Sequence, residues 1–151
     1  MINFNSFISS FYPLNCKCCE TSLVKGEKHF CVSCEINFGE ILNGQKEEVN
    51  QLFWGKAKIK DTLIFFQFLK EENFQNLIHK LKYQGDRNLA FYIGYFIAGK
   101  IKDPIYDAIS FVPMHKKKQI SRGFNQAQLI ANGVGNGLNI PVVSLLERIE
   151  F

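Results

Sequence analysis

Four cysteines near the start of the chain, Cys16-x2-Cys19 and Cys31-x2-Cys34, are separated into two pairs by eleven residues. A two-residue gap lets one tight turn aim both sulfurs at the same metal, and the insert is long enough for a small hairpin. The quartet therefore reads as a tetrahedral four-cysteine zinc site. Four thiolates fill the coordination sphere and leave no position for a catalytic water, so the metal holds the fold and does no chemistry. A disulfide reading needs an oxidising compartment, for which the sequence carries no address. Cys18 is a fifth thiol, either an ordinary one or a ligand in a shifted register.

The second candidate lies between Asp107 and Ala131. Ala108 to Val112 is apolar and partly β-branched, as a buried parallel strand would be, and Pro113 ends it because it has no N–H for a ladder. A basic loop follows with His115, Lys116, Lys117 and Lys118, then Arg122 and Gly123 lead into a helix opening at Phe124, Asn125 and Gln126. A guanidinium beside the free N–H groups of a helix start favours phosphate. The plainer alternative is a solvated, Lys-rich surface loop. Upstream, Lys82 and Tyr83 end another helix; they read as a wall of the same anion pocket, or as a cation that the helix dipole favours without any ligand. The same cations, Lys116, Lys117, Lys118 and Arg122, would also serve a nucleic-acid-binding adaptor whose zinc module orients a partner.

Val112-Pro113-Met114-His115 followed by Arg122-Gly123-Phe124-Asn125-Gln126-Ala127 resembles the ComF family of bacterial competence-related, phosphoribosyltransferase-like proteins. The resemblance extends to Leu81-Lys82-Tyr83-Gln84-Gly85-Asp86 and to the paired cysteines, and so covers nearly the whole chain. It implies an amino-terminal zinc ribbon followed by a type I phosphoribosyltransferase-like parallel sheet, with phosphoribosyl transfer as the activity. The ligand it implies is phosphoribosyl pyrophosphate or another phosphate, accompanied by Mg²⁺ in a complete protein. The implied role is DNA uptake or nucleotide salvage, with single-stranded DNA and a DNA-uptake helicase as partners. The family's acidic pair with Thr/Gly residues, which grips the ribose phosphate, has no counterpart before Phe151. The resemblance thus implies an incomplete sheet and a non-catalytic chain.

The elements that must position these residues are those of an α/β protein. The 151 residues allow one modest domain plus a small module, and 46% hydrophobic residues argue against disorder. A net charge of +4 is only mildly basic and does not by itself call for nucleic acid. Fifteen phenylalanines and five tyrosines, at helical spacings, read as core. Residues 1–38 form an amphipathic helix, with Phe4, Phe7, Ile8 and Phe11 on one face, and the zinc ribbon, packed by Phe30 and Phe38. Residues 39–55 connect it to a partial α/β domain over 56–151.

In that domain Thr62 to Leu69 reads as a strand and Asn73 as a helix cap, with Phe74, Leu77, Ile78 and Leu81 inward and Gly85 at the carboxyl end. Asp86 caps a second helix over Asn88 to Ile101, buried through Leu89, Ile93, Phe96 and Ile97. After Arg122 a third helix carries Ala127, Ile130, Ala131, Val134 and Leu138 inward and frays at Gly133, Gly135 and Gly137, before a strand begins at Ile140 to Val143. Helices before a strand, then a strand and a helix, imply a parallel sheet. The sequence has neither a secretory signal nor a transmembrane run, so the expected location is cytoplasmic. Ser33, Ser110, Ser121 and Ser144 have no convincing His and acid around them, which argues against hydrolase chemistry.

Overall fold

A computed structural model of the chain describes residues 14–37, 46–60, 62–64, 72–83, 85–102 and 104–148. The chain divides into two compact units, Met1–Gln75 and Asn76–Phe151. Six helices run through the described residues: α1 Val32–Asn37, α2 Lys46–Gln51, α3 Glu72–Tyr83, α4 Arg87–Ala98, α5 Lys116–Arg122 and α6 Gln126–Leu138. None is long and apolar enough to cross a membrane. The expected amino-terminal helix, Phe38 and the connection up to residue 45 lie outside the described residues; α2 falls within the expected connection.

The first unit is built on loops around the cysteines. Asn15 and Ser22 form an antiparallel bridge, Leu23 N–H donates to Leu14 O (2.7 Å), and Cys16 N–H to Thr21 O (2.8 Å). These bonds close the first cysteine turn into a small hairpin. Lys17 N–H donates to His29 O (2.8 Å), tying that turn to the segment leading to the second pair. Glu27 does the rest: one carboxylate oxygen accepts from Val24 N–H (2.7 Å) and the other from Val32 N–H (2.8 Å) at the start of α1. A carboxylate on the free N–H groups of a helix start is favoured twice over, by hydrogen bonding and by the dipole. Among the described residues of this unit, Cys16, Cys18 and Phe30 are the buried apolar ones.

The second unit packs α4 against α6. Asp86 caps α4, its side chain accepting from Leu89 N–H at 2.9 Å, and Leu89, Ala90, Ile93 and Ala98 are buried along its length. Phe96 and Ile97, expected inward, are only half-buried. Leu77 and Leu81 of α3 are also buried, while Phe74 lies outside the residues whose side chains are described.

The helix α6 does not fray. It runs unbroken to Leu138 and ends on Asn139 in the left-handed conformation (φ 57°). A side chain at Gly133 would run into Phe91 O and come 2.8 Å from Tyr95 N; one at Gly94 would meet Ile130 O. The two helices therefore cross backbone to backbone at Gly94 and Gly133. The cost of a helical glycine, about 1 kcal/mol, is offset by a contact that no larger residue permits.

The expected parallel sheet is absent among the described residues. Ile109 and Val142 form a single parallel bridge, through Ile109 N–H to Pro141 O and Val143 N–H to Ile109 O, both 2.9 Å. The next rung of a parallel ladder would take Leu145 N–H to Phe111 O, but Leu145 N–H goes to the Ser110 hydroxyl instead (3.2 Å). Val112 O, two residues on, accepts from the Asn125 side chain (3.1 Å). The Ser110 hydroxyl thus takes the N–H that the next rung needs, and pairing stops at one bridge; Val112 O, of the opposite parity, faces away from this partner. Residues 62–64 carry no strand, and the rest of the Thr62 to Leu69 run lies outside the described residues. The α/β class and its phosphoribosyltransferase-like sheet give way to helices.

Candidate functional site

The first site is the cysteine quartet. The turn after Cys16, closed by Glu20 N–H on Cys16 O (3.0 Å), presents Cys16 and Cys19, while Cys31 precedes α1 and Cys34 lies within it. The four sulfurs lie within 4.8 Å of one another, and Cys19 and Cys31 Sγ are 3.6 Å apart. A tetrahedron with Zn–S bonds of about 2.3 Å needs sulfurs about 3.8 Å apart, whereas a disulfide closes to about 2.05 Å. All five cysteines are free thiols. The quartet thus fits a metal ion of the zinc type, and Cys18 stands outside it.

The sulfurs sit in unequal surroundings. Partial burial pushes the Cys19 thiol up, but hydrogen bonds with the Thr21 hydroxyl and backbone, Cys16 and Cys34 outweigh it and bring Cys19 down to about 6. Burial, reinforced by the neighbouring sulfurs of Cys19 and Cys31, pushes Cys34 far up. Burial also raises Cys31, against a hydrogen bond with the Cys34 backbone. A cation removes this conflict, since it neutralises sulfurs that otherwise repel one another when ionised.

The second site is a cleft in the second unit. Lys82, Tyr83, Gly85, Lys117, Lys118, Ser121 and Arg122 line a space of about 490 Å³. That volume is within the roughly 300–1,000 Å³ of small-molecule sites. The end of α3 supplies Lys82 and Tyr83. The opposite wall is α5, where the sequence suggests a loop: His115 caps it, Nδ1 accepting from Lys117 N–H (3.1 Å), and Gly123 ends it in the left-handed conformation (φ 77°). Helical spacing puts Lys117, Lys118, Ser121 and Arg122 along one face. Tyr83 is 66% exposed, with Arg122 Cζ 5.7 Å from its ring centroid and the His79 ring at 4.9 Å.

Of the residues expected at an anion site, Lys82, Tyr83, Lys117, Lys118 and Arg122 line this cleft, and Gly85 and Ser121 join them. The other expected residues support it. Lys116 is exposed on α5 and His115 is its cap. Gly123 O accepts from Arg87 (2.8 Å), whose guanidinium lies 5.5 Å from the centroid of the buried Phe124 ring. The buried Asn125 caps α6 through Ala127 N–H (3.0 Å) while donating to Val112 O. Gln126 donates to Leu81 O (3.3 Å) and accepts from Arg122 (3.5 Å), bracing one wall against the other. Ser121 is legible only once 116–122 is a helix, being one turn on from Lys117; for Arg87 the only sequence cue is its place beside the Asp86 cap. Comparison with models of protein families, with curated proteins and with solved structures finds no match.

Proposed function

We propose that this chain is a ComF-like protein that binds a phosphorylated ligand of the phosphoribosyl pyrophosphate class in the cleft between α3 and α5, with zinc holding the first unit. The reading rests on one observation: the two stretches of the ComF resemblance outside the cysteines, Lys82-Tyr83 and the segment ending in Arg122, face each other across one cleft. Charge favours more than one phosphate. A phosphate monoester carries about −1.5 to −2 at pH 7, and four cations, Lys82, Lys117, Lys118 and Arg122, exceed that by about two charges. What the described lining offers an anion is cations and hydrogen-bond donors, so the proposal is one of binding. The role is in DNA uptake or nucleotide salvage.

Calorimetric titration with phosphoribosyl pyrophosphate and with inorganic phosphate tests this. The first should bind more tightly, and Arg122→Ala or Lys82→Ala should weaken it about tenfold, the loss of one charge-assisted contact of roughly 1.5 kcal/mol. Equal binding of both anions, or no effect of either substitution, would overturn it. The exposed Tyr83 ring beside Arg122 favours a second reading, a nucleic-acid adaptor that stacks a base there. In that case affinity for single-stranded DNA falls with salt with a logarithmic slope near −0.7 per phosphate contact, and Tyr83→Ala lowers it more than it lowers affinity for phosphoribosyl pyrophosphate.

A further inference from the structure

A second cleft lies toward the carboxyl end of α6. Phe91 of α4, Asn132 and Asn136 of α6, its cap Asn139, and Pro141 and Val142 line a space of about 550 Å³. The described lining carries amides and apolar groups and no charge. Beside it runs an unpaired strand edge. Pro141 O accepts from Ile109 N–H, Ile109 O accepts from Val143 N–H, and Leu145 N–H goes to the Ser110 hydroxyl, so these groups all face the Ile109 segment. Parity turns the N–H and C=O of Val142 and Ser144 the other way, where neither residue has a backbone partner among the described residues. A side chain on Gly135 would come 2.6 Å from Val142 Cγ2 and 2.7 Å from Ile140 O, so this edge lies directly on α6.

We propose that this cleft takes an extended, uncharged peptide segment of another protein, added as a strand to the Val142 edge with a Ser or Thr at every second residue turned onto Asn132 and Asn136. An edge with unpaired N–H and C=O groups is a template for main-chain pairing, which supplies the affinity of such a complex. The amides set the pattern. Asn132 and Asn136 are four residues apart on α6, a rise of about 6 Å, and side chains on one face of a strand repeat every two residues, at about 6.6 Å. An amide and a hydroxyl each donate and accept, so they match in either orientation. Charge complementarity points the same way, since a phosphate or a carboxylate would meet no cation in the described lining. Phe91, 38% exposed, and Pro141 add apolar contact beside the amides. The inference is independent of the phosphate reading of the cationic cleft.

The experiment is an NMR titration of the isotope-labelled full chain with the blocked peptide acetyl-Thr-Val-Thr-Val-Thr-Val-amide. Two further forms of the peptide are N-methylated on every Thr or on every Val, each losing the N–H groups of one edge. The proposal predicts saturable shifts at the backbone N–H of Val142 and Ser144 and at the side-chain amides of Asn132 and Asn136. One methylated form should bind as the parent peptide does and the other should not bind. Asn136→Ala, an exposed position given a strong helix former, should keep the fold and weaken binding about fivefold, the loss of one hydrogen bond. No saturable shift at Val142, equal binding by both methylated forms, or wild-type affinity in Asn136→Ala would overturn it. So would the same shifts appearing with protein concentration and no peptide, which would mean that the edge pairs with a second copy of the chain.

Discussion

The unequal sulfurs make zinc affinity a steep function of pH. A metal must displace every proton its ligands carry, so each ligand still protonated at the working pH adds one decade of affinity per pH unit. Cys31 and Cys34 are both raised by burial above the ordinary thiol value of 9.0, so at neutral pH both hold protons that zinc must release. Cys19, lowered to about 6, is already a thiolate at pH 7 and adds nothing there. The sign follows: affinity rises with pH, by at least about two decades per unit between pH 6.5 and 8.5, or about 2.8 kcal/mol per unit. Below about 6 Cys19 also protonates and the slope steepens to at least three decades. Chelator competition at half-unit steps, with proton release measured in two buffers of different ionisation enthalpy, gives the slope directly. A slope of one or less between pH 6.5 and 8.5 would mean that Cys31 and Cys34 are ionised before the metal arrives, and would refute the role given to burial.

Mass spectrometry of freshly purified protein should find one zinc per chain, and Cys31→Ser should lose it together with the structure of the cysteine loops, whose four sulfurs lie within 4.8 Å of one another and need a cation between them. Asp86→Ala removes the cap that accepts from Leu89 N–H and should cost about 1 kcal/mol of stability in urea unfolding. Two glycine substitutions should differ in sign. Gly133→Ala gains about 1 kcal/mol of helix propensity but forces a methyl against Phe91 O and Tyr95 N, backbone atoms that cannot rotate away, for a net loss of about 2 kcal/mol. Gly99→Ala sits at an ordinary helical φ of −64° with its nearest neighbour 3.5 Å away, and should gain about 0.4–1 kcal/mol. Equal effects of the two on the urea midpoint would refute the close crossing.

What was legible in the sequence was local. The Cys-x2-Cys pairs place their sulfurs through turn geometry alone, and Asp86 caps α4 with a side chain three residues from its partner. What was not legible depended on tertiary context. Lys116 to Arg122 looks like a loop because it lacks an apolar stripe, and none of its residues is buried; the helix is set by its ends, the His115 cap and the left-handed turn at Gly123. The three glycines of α6 look like a fraying end until their neighbours are known: Gly133 lies on the backbone of α4, Gly137 against Ala98 of the same helix, and Gly135 against Ile140 and Val142. The strand pattern of Ala108 to Val112 yields one bridging residue, Ile109, because an apolar run does not ensure pairing, and the Ser110 hydroxyl takes the Leu145 N–H that the next rung would use. A resemblance built on motifs could not reveal that competition.

The same distinction explains why the Arg122 to Gln126 string is long. Only Arg122 lines the cleft. Gly123 must adopt a left-handed turn so that the chain can leave α5, which costs other L-residues roughly 1–2 kcal/mol. Arg87 holds that turn by its carbonyl and covers Phe124, which is buried beneath. Asn125 opens α6 and fastens it to Val112, and Gln126 ties the guanidinium side of the cleft to the last turn of α3. Four residues of scaffold therefore serve one charged group. An anion gains from a guanidinium in proportion to how little that group must be ordered on binding, so substitutions at Gly123, Asn125 or Gln126 act on the cleft without touching what it holds.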